Sequence, residues 1–239
     1  MIMGFGFKYK DYAIFADTHF GIEYVLASQG LQIPPIQFEE VLKRIKTINA
    51  QKLIIAGDLK HEFSRENPLE KKHVSMFIEN MTSMFDDLIV VRGNHDNFVY
   101  YTLKNWGIDL IEYLEIGDII VIHGHKVPND IDLRDYELVV MGHEHPSISI
   151  RDSLGLSHKI PVHLEILHPE GFLIHVLPAV SPLALGTPVN ALLSPEDFLS
   201  PILRSIRDLG GLRIYAVLKD KVEFLGTLSR LESQGGSLL

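Results

Sequence analysis

Five short apolar runs, each ending in a cluster of polar residues, constrain the fold of this 239-residue chain most strongly. The runs occupy residues 12–16, 53–56, 88–91, 119–122 and 138–141. They are rich in β-branched residues, and segments of helical period separate the first of them, a pattern typical of βαβ units and a largely parallel sheet. Because ligands of open α/β sheets bind at the carboxyl ends of the strands, the polar clusters mark the predicted site.

Periodicity and capping residues predict three helices. Apolar residues recur at spacings of three and four over residues 38–48, which gives one apolar helix face. Residues 69–85 show a second segment of this kind. Ser194 offers an N-cap and is followed by Pro195, so a third helix is predicted from there to about residue 209.

The pattern of the second half of the chain differs from that of the first. After His145, short runs punctuated by glycine and proline predict a second, mostly antiparallel sheet, with strands at residues 147–150, 160–167 and 172–177. Two further runs, 212–218 and 222–225, predict a closing hairpin.

The chain shows no internal repeat, low-complexity segment or change of composition that would mark a linker. We therefore predict one domain over residues 1–239, with a motif-bearing core at 10–180 and a C-terminal helix and strands at 194–239. A length of 239 residues with 46% hydrophobic residues suits a single α/β domain with a full core.

Charge and cysteine content exclude several classes of protein. With 31 acidic and 22 basic residues the net charge is −9, which argues against binding nucleic acid by bulk charge but leaves room for a small contact patch. The absence of cysteine excludes a disulfide scaffold, a thiolate zinc site and a cysteine nucleophile. No apolar stretch approaches the ~18 residues that span a bilayer, and the first residues lack a signal-peptide pattern, so we expect a cytoplasmic protein without membrane contact.

The polar clusters contain most of the metal-ligand chemistry of the chain. Seven of the 12 histidines lie in or just after them, together with aspartate and asparagine residues. At a strand end residues i and i+2 point the same way, so Asp17 with His19, and His143 with His145, can each direct two side chains into one space. Imidazole, carboxylate and amide donors without thiolate suit ions such as Mn²⁺, Fe²⁺ or Zn²⁺. Two ions with four ligands each and one shared carboxylate would use seven residues, namely Asp17, His19, Asp58, Asn94, His123, His143 and His145.

Five sequence blocks in this order resemble the complete motif set of the calcineurin-like metallophosphoesterases. The blocks are Asp17-x-His19, Gly57-Asp58, Gly93-Asn94-His95-Asp96, His123 and Gly142-His143-x-His145. The resemblance covers residues 17–145. It implies a four-layer α-β-β-α sandwich of two packed mixed sheets, with a dinuclear metal site at the carboxyl ends of the strands.

The resemblance also assigns roles to the site residues. It places one ion on Asp17, His19, Asp58 and His145, and the other on Asp58, Asn94, His123 and His143, so that Asp58 bridges them. It implies two divalent ions, with Mn most expected and Fe, Zn or Ni as alternatives. His95 would assist at the phosphate or leaving group while a metal-bridging hydroxide attacks, and His61 would orient or tune His95.

Three functions follow from the resemblance as alternatives. The segments ADTHFGIE and GDLKH are more similar to compact Icc-like phosphoesterases and the Mre11-type nuclease branch than to Ser/Thr phosphatases. The first hypothesis is a phosphodiesterase acting on a nucleotide or nucleic-acid phosphodiester, and the second is a Mn-dependent DNA nuclease of Mre11 type. The third is a non-catalytic scaffold, which would be expected to lack a motif residue. The oligomeric state and the substrate stay open.

Some residues near the blocks have two interpretations. His125 could be a ligand in place of His123, line the pocket or support the ligands from behind, and we favour His123 as the ligand. Asp96 is expected to be structural, either as a helix N-cap or as an orienter of its loop. Core packing is favoured over base stacking for Tyr100, Tyr101 and Trp106.

The roles of one apolar segment and of three charged residues also stay open on sequence alone. The apolar segment 183–193 could be a buried sheet edge or an exposed partner surface. Charged residues beside the site could contact substrate or be merely solvated, and these are Glu62, Arg65 and Arg92.

Overall fold

The computed structural model describes residues 1–63, 67–184, 186–219 and 221–233. One sheet has the strand order in which its members occur along the chain, namely β1 (Ile2–Met3), β2 (Gly6–Tyr9), β3 (Tyr12–Phe15), β4 (Lys52–Ala56), β5 (Asp87–Val91) and β6 (Leu110–Ile111). The other sheet contains β7 (Leu114–Ile116), β8 (Ile119–Ile122), β9 (Leu138–Met141), β10 (Pro146–Arg151), β11 (Ser157–Leu167), β12 (Leu173–Val176), β13 (Thr187–Pro188), β14 (Arg213–Leu218) and β15 (Lys221–Thr227).

The helices are short apart from one. They are α1 (Ile22–Ser28), α2 (Gln37–Ile45), α3 (Pro68–Met84), α4 (Val99–Asn105), α5 (Pro201–Arg204) and α6 (Leu228–Ser233). Single 3₁₀ turns lie at Leu133–Asp135, Val189–Ala191 and Pro195–Asp197. Within the described part of the chain, no helix combines the length and the apolar character needed to cross a membrane.

Three apolar clusters define four layers, as the resemblance implies. Alternate residues of β4 face different layers. Ile54 and Ala56 pack between the two sheets. Leu53 and Ile55, on the other face of the strand, pack against helices α2 and α3. The second sheet packs its outer face against α5, α6 and the 3₁₀ turns. The fold is therefore a helix–sheet–sheet–helix sandwich.

All five predicted strand-end runs form strands, but they divide between the two sheets. β3, β4 and β5 pair in parallel in the first sheet, and β8 pairs in parallel with β9 in the second. The second sheet is mixed, since β12 also pairs in parallel with β9 while β11 is antiparallel to β10, β12 and β14. The expectation of a mostly antiparallel second sheet was therefore incomplete, because it left out β8 and β9.

The predicted helix over residues 194–209 is wrong in its length. Ser194 forms the expected capping box with Asp197, but only the 3₁₀ turn Pro195–Asp197 follows. A proline disfavours helical backbone in the residue before it, and Ser200, which precedes Pro201, is extended with ψ of 128°. The chain then makes the single helical turn α5, which Ser200 caps by accepting a hydrogen bond from the Ile202 amide.

The remaining predicted helices and strands agree with the structure to within a few residues. The first two helices form as α2 and α3, and the closing hairpin forms as β14 and β15. The N-terminal hairpin of β1 and β2, and helix α6, were not predicted. Segment 183–193, of which Leu185 lies outside the described residues, supplies the edge strand β13, with Val189 buried and Leu193 fully exposed.

Candidate metal centre

The polar clusters of both sheets meet at one place. Asp17 follows β3 and Asp58 follows β4, while His143 follows β9 of the second sheet. The two sheets are joined here directly, because the backbone amide of His143 donates to Oδ2 of Asp17 over 3.0 Å. Residues more than a hundred positions apart in sequence thus line a single site, as the strand-end pattern predicted.

One group of potential ligands consists of Asp17, His19, Asp58 and His145, whose ligand atoms all lie within 4.8 Å of one another. Nε2 of His19 is 3.1 Å from Nε2 of His145, and Nε2 of His145 is 3.3 Å from Oδ1 of Asp17. These are the four residues that the resemblance assigns to the first ion.

A second group consists of Asp58, His123 and His143, again within 4.8 Å of one another. Oδ1 of Asn94 lies 3.0 Å from Nε2 of His123 and so adds an amide oxygen to this group. These are the four residues assigned to the second ion. The structure thus brings together every predicted ligand, and their binding of metal stays a prediction.

Asp58 belongs to both groups through the same oxygen. Its Oδ2 lies 3.6 Å from Nε2 of His19 and 3.4 Å from Nε2 of His123. Its other oxygen, Oδ1, accepts a hydrogen bond of 2.9 Å from the His95 backbone amide, which fixes the orientation of the carboxylate. A carboxylate held between two sets of imidazoles has the position that a bridging ligand needs.

The backbone at the site is strained. Left-handed φ angles between 46° and 69° occur at five of the seven predicted ligands, namely Asp17, His19, Asp58, His143 and His145. Such conformations cost free energy in residues other than glycine and cluster at functional sites, where the surrounding structure holds them. Here the strain directs side chains from adjacent strand ends into one space.

Two glycines allow the strand ends to approach closely. A Cβ at Gly57, whose φ is +90°, would lie 2.2 Å from Nδ1 of His123. A Cβ at Gly93 would lie 2.1 Å from Oδ1 and 2.2 Å from the backbone nitrogen of Asp58. No side chain fits at either position without moving a predicted ligand.

Electrostatics at the site favour a cation. Burial alone would lower the pKa of His123, but the carboxylates of Asp58 and Asp17 raise it to about 9. Burial with repulsion from neighbouring histidines instead lowers the pKa of His19 to about 3 and that of His143 to about 4. The two buried carboxylates therefore stabilise positive charge between them, while other imidazoles stay neutral and able to act as ligands.

Hydrogen bonding orients the ring of His123, and one oxygen of Asp17 has no hydrogen-bond partner among the described residues. Nδ1 of His123 donates to the carbonyl oxygen of Ala56 over 2.9 Å, so Nε2 is the nitrogen that faces the site. Oδ1 of Asp17 is buried and accepts no hydrogen bond from the described residues. Ligand atoms on one ion at about 2.0–2.2 Å lie roughly 3–3.5 Å apart, which matches the separations found here. The donor set therefore fits divalent cations.

The two predicted catalytic histidines flank His19. The rings of His61 and His95 lie parallel at 5.5 Å, and the His19 ring is 5.2 Å from the first and 5.1 Å from the second. Nδ1 of His95 donates to the backbone carbonyl of His61 over 2.6 Å. His61 thus orients His95 through its main chain, with the other nitrogen of His95, Nε2, left available.

Asp96 has the structural role of a loop orienter. It is fully buried and accepts hydrogen bonds from the backbone amides of Gly93, Asp58 and Leu59 at 2.8–3.0 Å. The N-cap of α4 is Phe98, so the alternative role of Asp96 as N-cap is not the one observed. Burial, with repulsion from Asp58, raises its pKa to about 6.

Two buried side chains that support the site were missed. Gln37 donates from Nε2 to the carbonyls of Thr18 and His19 at 2.9 and 2.7 Å. Glu144, between two predicted ligands, accepts from the Leu199 and Ser200 amides at 3.0 and 3.1 Å. Neither contact has a local sequence signal, since the Gln37 partners lie 18–19 residues away and those of Glu144 about 55.

The structure also decides some open alternatives. His125 is absent from both ligand groups, although its ring lies 5.3 Å from that of His123, and burial with repulsion from His123 lowers its pKa to about 4. The favoured core packing of the aromatic residues is wrong, because the exposed fractions are 46% for Tyr100, 65% for Tyr101 and 43% for Trp106.

The charged residues named beside the site have partners or lie outside the described residues. Arg92 pairs with Glu112 at 3.6 Å. Arg65 lies outside the described residues. Glu62 also has an interaction partner.

The fold and the site define a two-sheet α/β protein with a candidate divalent-metal centre at the strand ends. The chain belongs to the calcineurin-like phosphoesterase family, whose sequence model matches residues 11–168. Among curated proteins, none matches the sequence of this chain.

Solved structures resemble this chain at low sequence identity, and the first of them shows the same fold. The Pseudomonas putida nuclease MPE is 20% identical with a TM-score of 0.55, over 90% of this chain and 88% of that one. Yfce, a phosphoesterase from E. coli, is 17% identical with a TM-score of 0.44, over 90% and 98% of the two chains. Vacuolar Protein Sorting 29 from Cryptosporidium parvum is 16% identical with a TM-score of 0.40, over 89% and 94%.

Proposed function

We propose that the protein is a dinuclear-metal-dependent phosphodiesterase that hydrolyses a nucleotide or nucleic-acid phosphodiester. The observation that carries the proposal is the position of Asp58 Oδ2, 3.6 Å from His19 Nε2 and 3.4 Å from His123 Nε2. A carboxylate shared by two ligand groups is the arrangement required to hold two ions close together.

The ligand residues have a defined task in this proposal. Asp17, His19 and His145 would hold one ion, Asn94, His123 and His143 the other, and Asp58 both. Bound divalent ions would supply Lewis acidity, which activates water and offsets the negative charge of the phosphoryl group during displacement. The nitrogen and oxygen donors suit Mn²⁺, Fe²⁺ or Zn²⁺, and we expect Mn²⁺ from the family resemblance.

His95 is the proposed catalytic residue. Its Nδ1 proton is committed to the His61 carbonyl, so Nε2 is the atom that can hold a proton for the phosphoryl or leaving-group oxygen. The edge contact with His19 places its ring against the first ligand group. A side chain so placed would lie beside a phosphate bound at the two ligand groups, where it could act without being a metal ligand.

A DNA nuclease is the second candidate. The shared fold with the P. putida nuclease MPE, over 90% of this chain, favours it. The net charge of −9 opposes extensive contact with DNA, so short or flexible strands would be better substrates than long duplexes. The third candidate, a non-catalytic scaffold, is disfavoured because every motif residue is present.

A substrate screen tests the proposal. The protein reconstituted with Mn²⁺ is assayed on phosphomonoesters, cyclic nucleotides, dinucleotides, bis(p-nitrophenyl) phosphate and DNA, beside the Asp58→Ala variant. We expect hydrolysis of a phosphodiester by the wild type and none by the variant. Absence of hydrolysis by the reconstituted wild type, or equal hydrolysis by the variant, would contradict the proposal.

A further inference from the structure

Four large aromatic side chains line an open groove of about 730 Å³ beside His95. Between 46% and 65% of each side chain is exposed, and the four are Phe63, Phe98, Tyr100 and Tyr101. We call this surface the aromatic groove. Its volume lies within the range of about 300–1,000 Å³ typical of small-molecule sites. Grouped exposed aromatic side chains mark contact surfaces, because single ones are normally scattered.

The aromatic groove contacts the proposed catalytic residue through one of its lining side chains, Phe63. The ring of Phe63 makes an edge contact with that of His95, with 5.9 Å between the ring centres. Asn97, two residues after His95, donates from Nδ2 to the carbonyl oxygen of Phe63 over 3.4 Å and so links the two walls of the groove. A substituent on a phosphate held beside His95 therefore has a direct path onto the aromatic rings.

Phe98 is held in the groove at a cost in backbone strain. Its φ of 71° is left-handed, a conformation that bulky residues rarely adopt. It also occupies the N-cap of α4 without making a side-chain cap, a place where asparagine, serine or aspartate would stabilise the helix. Folding alone therefore does not explain a phenylalanine here, and strain of this kind is found at functional sites.

Cationic groups accompany the aromatic rings. Arg92 lines the groove, with its guanidinium 3.6 Å from Glu112 on one side. Nζ of Lys104 lies 5.7 Å from the ring centre of Tyr100. In contrast, Leu110 is the one aliphatic side chain among the described residues that line the groove. Aromatic faces with a few cations and few aliphatic groups suit a flat heteroaromatic ring attached to phosphate better than a lipid chain or an aliphatic peptide.

We propose that the aromatic groove binds an unpaired nucleobase next to the scissile phosphate, and that the substrate is a single-stranded nucleic acid or a short oligonucleotide. This inference rests on the proposed function and specifies its substrate. Bases in a duplex are stacked on both faces and cannot reach the rings, whereas bases of a single strand can. Stacking tolerates any base, so the groove selects for single strands without selecting a sequence.

Paired substrates test the inference kinetically. A single-stranded oligonucleotide and the same strand with abasic sites flanking the scissile phosphate are compared by kcat/KM. Base stacking predicts that the wild type prefers the base-containing strand by about 5- to 150-fold. The Tyr100→Ala/Tyr101→Ala variant keeps good helix formers in α4 and should bring this ratio towards 1. Phe224→Ala, which removes an exposed aromatic ring of β15, is the matched control and should leave the ratio unchanged.

A second variant separates binding from folding. Phe98→Asn places at the N-cap a residue that tolerates a left-handed backbone, so its unfolding temperature should equal or exceed that of the wild type. Its affinity for a fluorescently labelled single strand, measured by anisotropy on metal-free protein, should fall about 5-fold or more. A blunt duplex of the same length should bind more weakly than the single strand to the wild type.

The outcomes distinguish the two proposals. If the wild type cleaves base-containing and abasic strands equally, or if the tyrosine and Phe98 variants keep full single-strand affinity, the aromatic groove is not a base site although the phosphodiesterase proposal stands. If the wild type binds single strands through the groove but hydrolyses no ester, the proposed function fails while base binding stands. Equal binding of duplex and single strand would also overturn the inference.

Discussion

The carboxylate of Asp96 accepts a 3.0 Å hydrogen bond from the backbone amide of Asp58, the shared candidate ligand. The same carboxylate accepts from the Leu59 amide at 2.8 Å and the Gly93 amide at 2.8 Å. One buried side chain thus joins the loop after β4 to the loop after β5, and it does so without entering either ligand group.

Asp96→Asn is expected to loosen both loops. The amide replaces one acceptor oxygen by a donor that would face backbone N–H groups, and leaving such buried groups unpaired costs about 1–3 kcal/mol. Urea denaturation of metal-free protein should show this loss, and calorimetric titration with Mn²⁺ should show weaker binding. Asp87→Asn, on an exposed residue of β5, carries the same charge change and should leave both quantities unchanged. Wild-type stability and Mn²⁺ affinity in Asp96→Asn would show that the contacts do not hold the site.

His95→Ala is expected to separate catalysis from metal binding. His95 belongs to neither of the two groups that share Asp58, although its ring nitrogen forms a third cluster with those of His19 and His61 that could also hold an ion. Because that cluster contains no carboxylate, we expect the bound metal per chain to stay at the wild-type value. Loss of a proton-transfer group should lower kcat by about 10²- to 10⁴-fold. His158→Ala, which removes an exposed histidine paired with Asp152, is the control. Full activity in His95→Ala would mean that another group performs this role.

Gly93→Ala is expected to displace Asp58. The added Cβ would lie 2.2 Å from the backbone nitrogen of Asp58, so the overlap cannot be relieved by turning a side chain. Metal binding and activity should fall together, with a lower unfolding temperature. Gly211→Ala is the matched change at a position where a Cβ meets no atom within 4 Å. A Gly93→Ala protein with wild-type metal affinity would contradict the close approach.

Glu165, on β11 and remote from the candidate metal centre, is expected to make stability depend on pH. Its Oε1 lies 3.5 Å from Nδ1 of His175, and its Oε2 accepts from the Tyr215 hydroxyl at 2.7 Å and lies 3.2 Å from Arg213. The interaction with His175, followed by that with Tyr215, outweighs burial and lowers the pKa of Glu165 from 4.5 to about 2.

A carboxyl with a lowered folded-state pKa stabilises the fold above its unfolded pKa and loses this contribution as pH falls through the folded value. After a discount for solvent, the contribution is about 1–2 kcal/mol. Urea denaturation of metal-free wild type and Glu165→Gln should therefore differ by this amount at pH 7, and the difference should vanish between pH ~4.5 and ~2. Glu79→Gln, on an exposed residue of α3, should show no such convergence. A difference independent of pH would mean that the charge of Glu165 is not responsible.

The sequence predicted the strand ends, and the grouping of the candidate ligands beside them, because both depend on local order. Residues i and i+2 at a strand end point the same way, and parallel strands end at a common edge, so Asp17 with His19 and His143 with His145 needed no tertiary information. Which sheet each strand joins depends on contacts distant in sequence, and the assignment of β8 and β9 to the second sheet has no local signal.

The sequence contains the cause of two other errors, which concern the length of the helix after Ser194 and the packing of Tyr100 and Tyr101. Pro201 ends any helix that begins at Ser194, and the restriction that it places on Ser200 could have shortened the prediction. In α4, Val99, Thr102 and Leu103 are buried at spacings of three and four, so the same periodicity places Tyr100 and Tyr101 on the outer face. Hydrogen bonds such as those of Gln37 could not be predicted, because they depend on the packed loop.

If Asp58 joins the two ligand groups into one dinuclear centre, its removal should change the metal content per chain. Wild-type protein, His158→Ala and Asp58→Ala are equilibrated with Mn²⁺, freed of unbound metal and analysed by elemental analysis. We expect two ions per chain in the wild type and in His158→Ala, and loss of both in Asp58→Ala. No bound metal in the wild type, or the same metal content in Asp58→Ala as in the wild type, would contradict it.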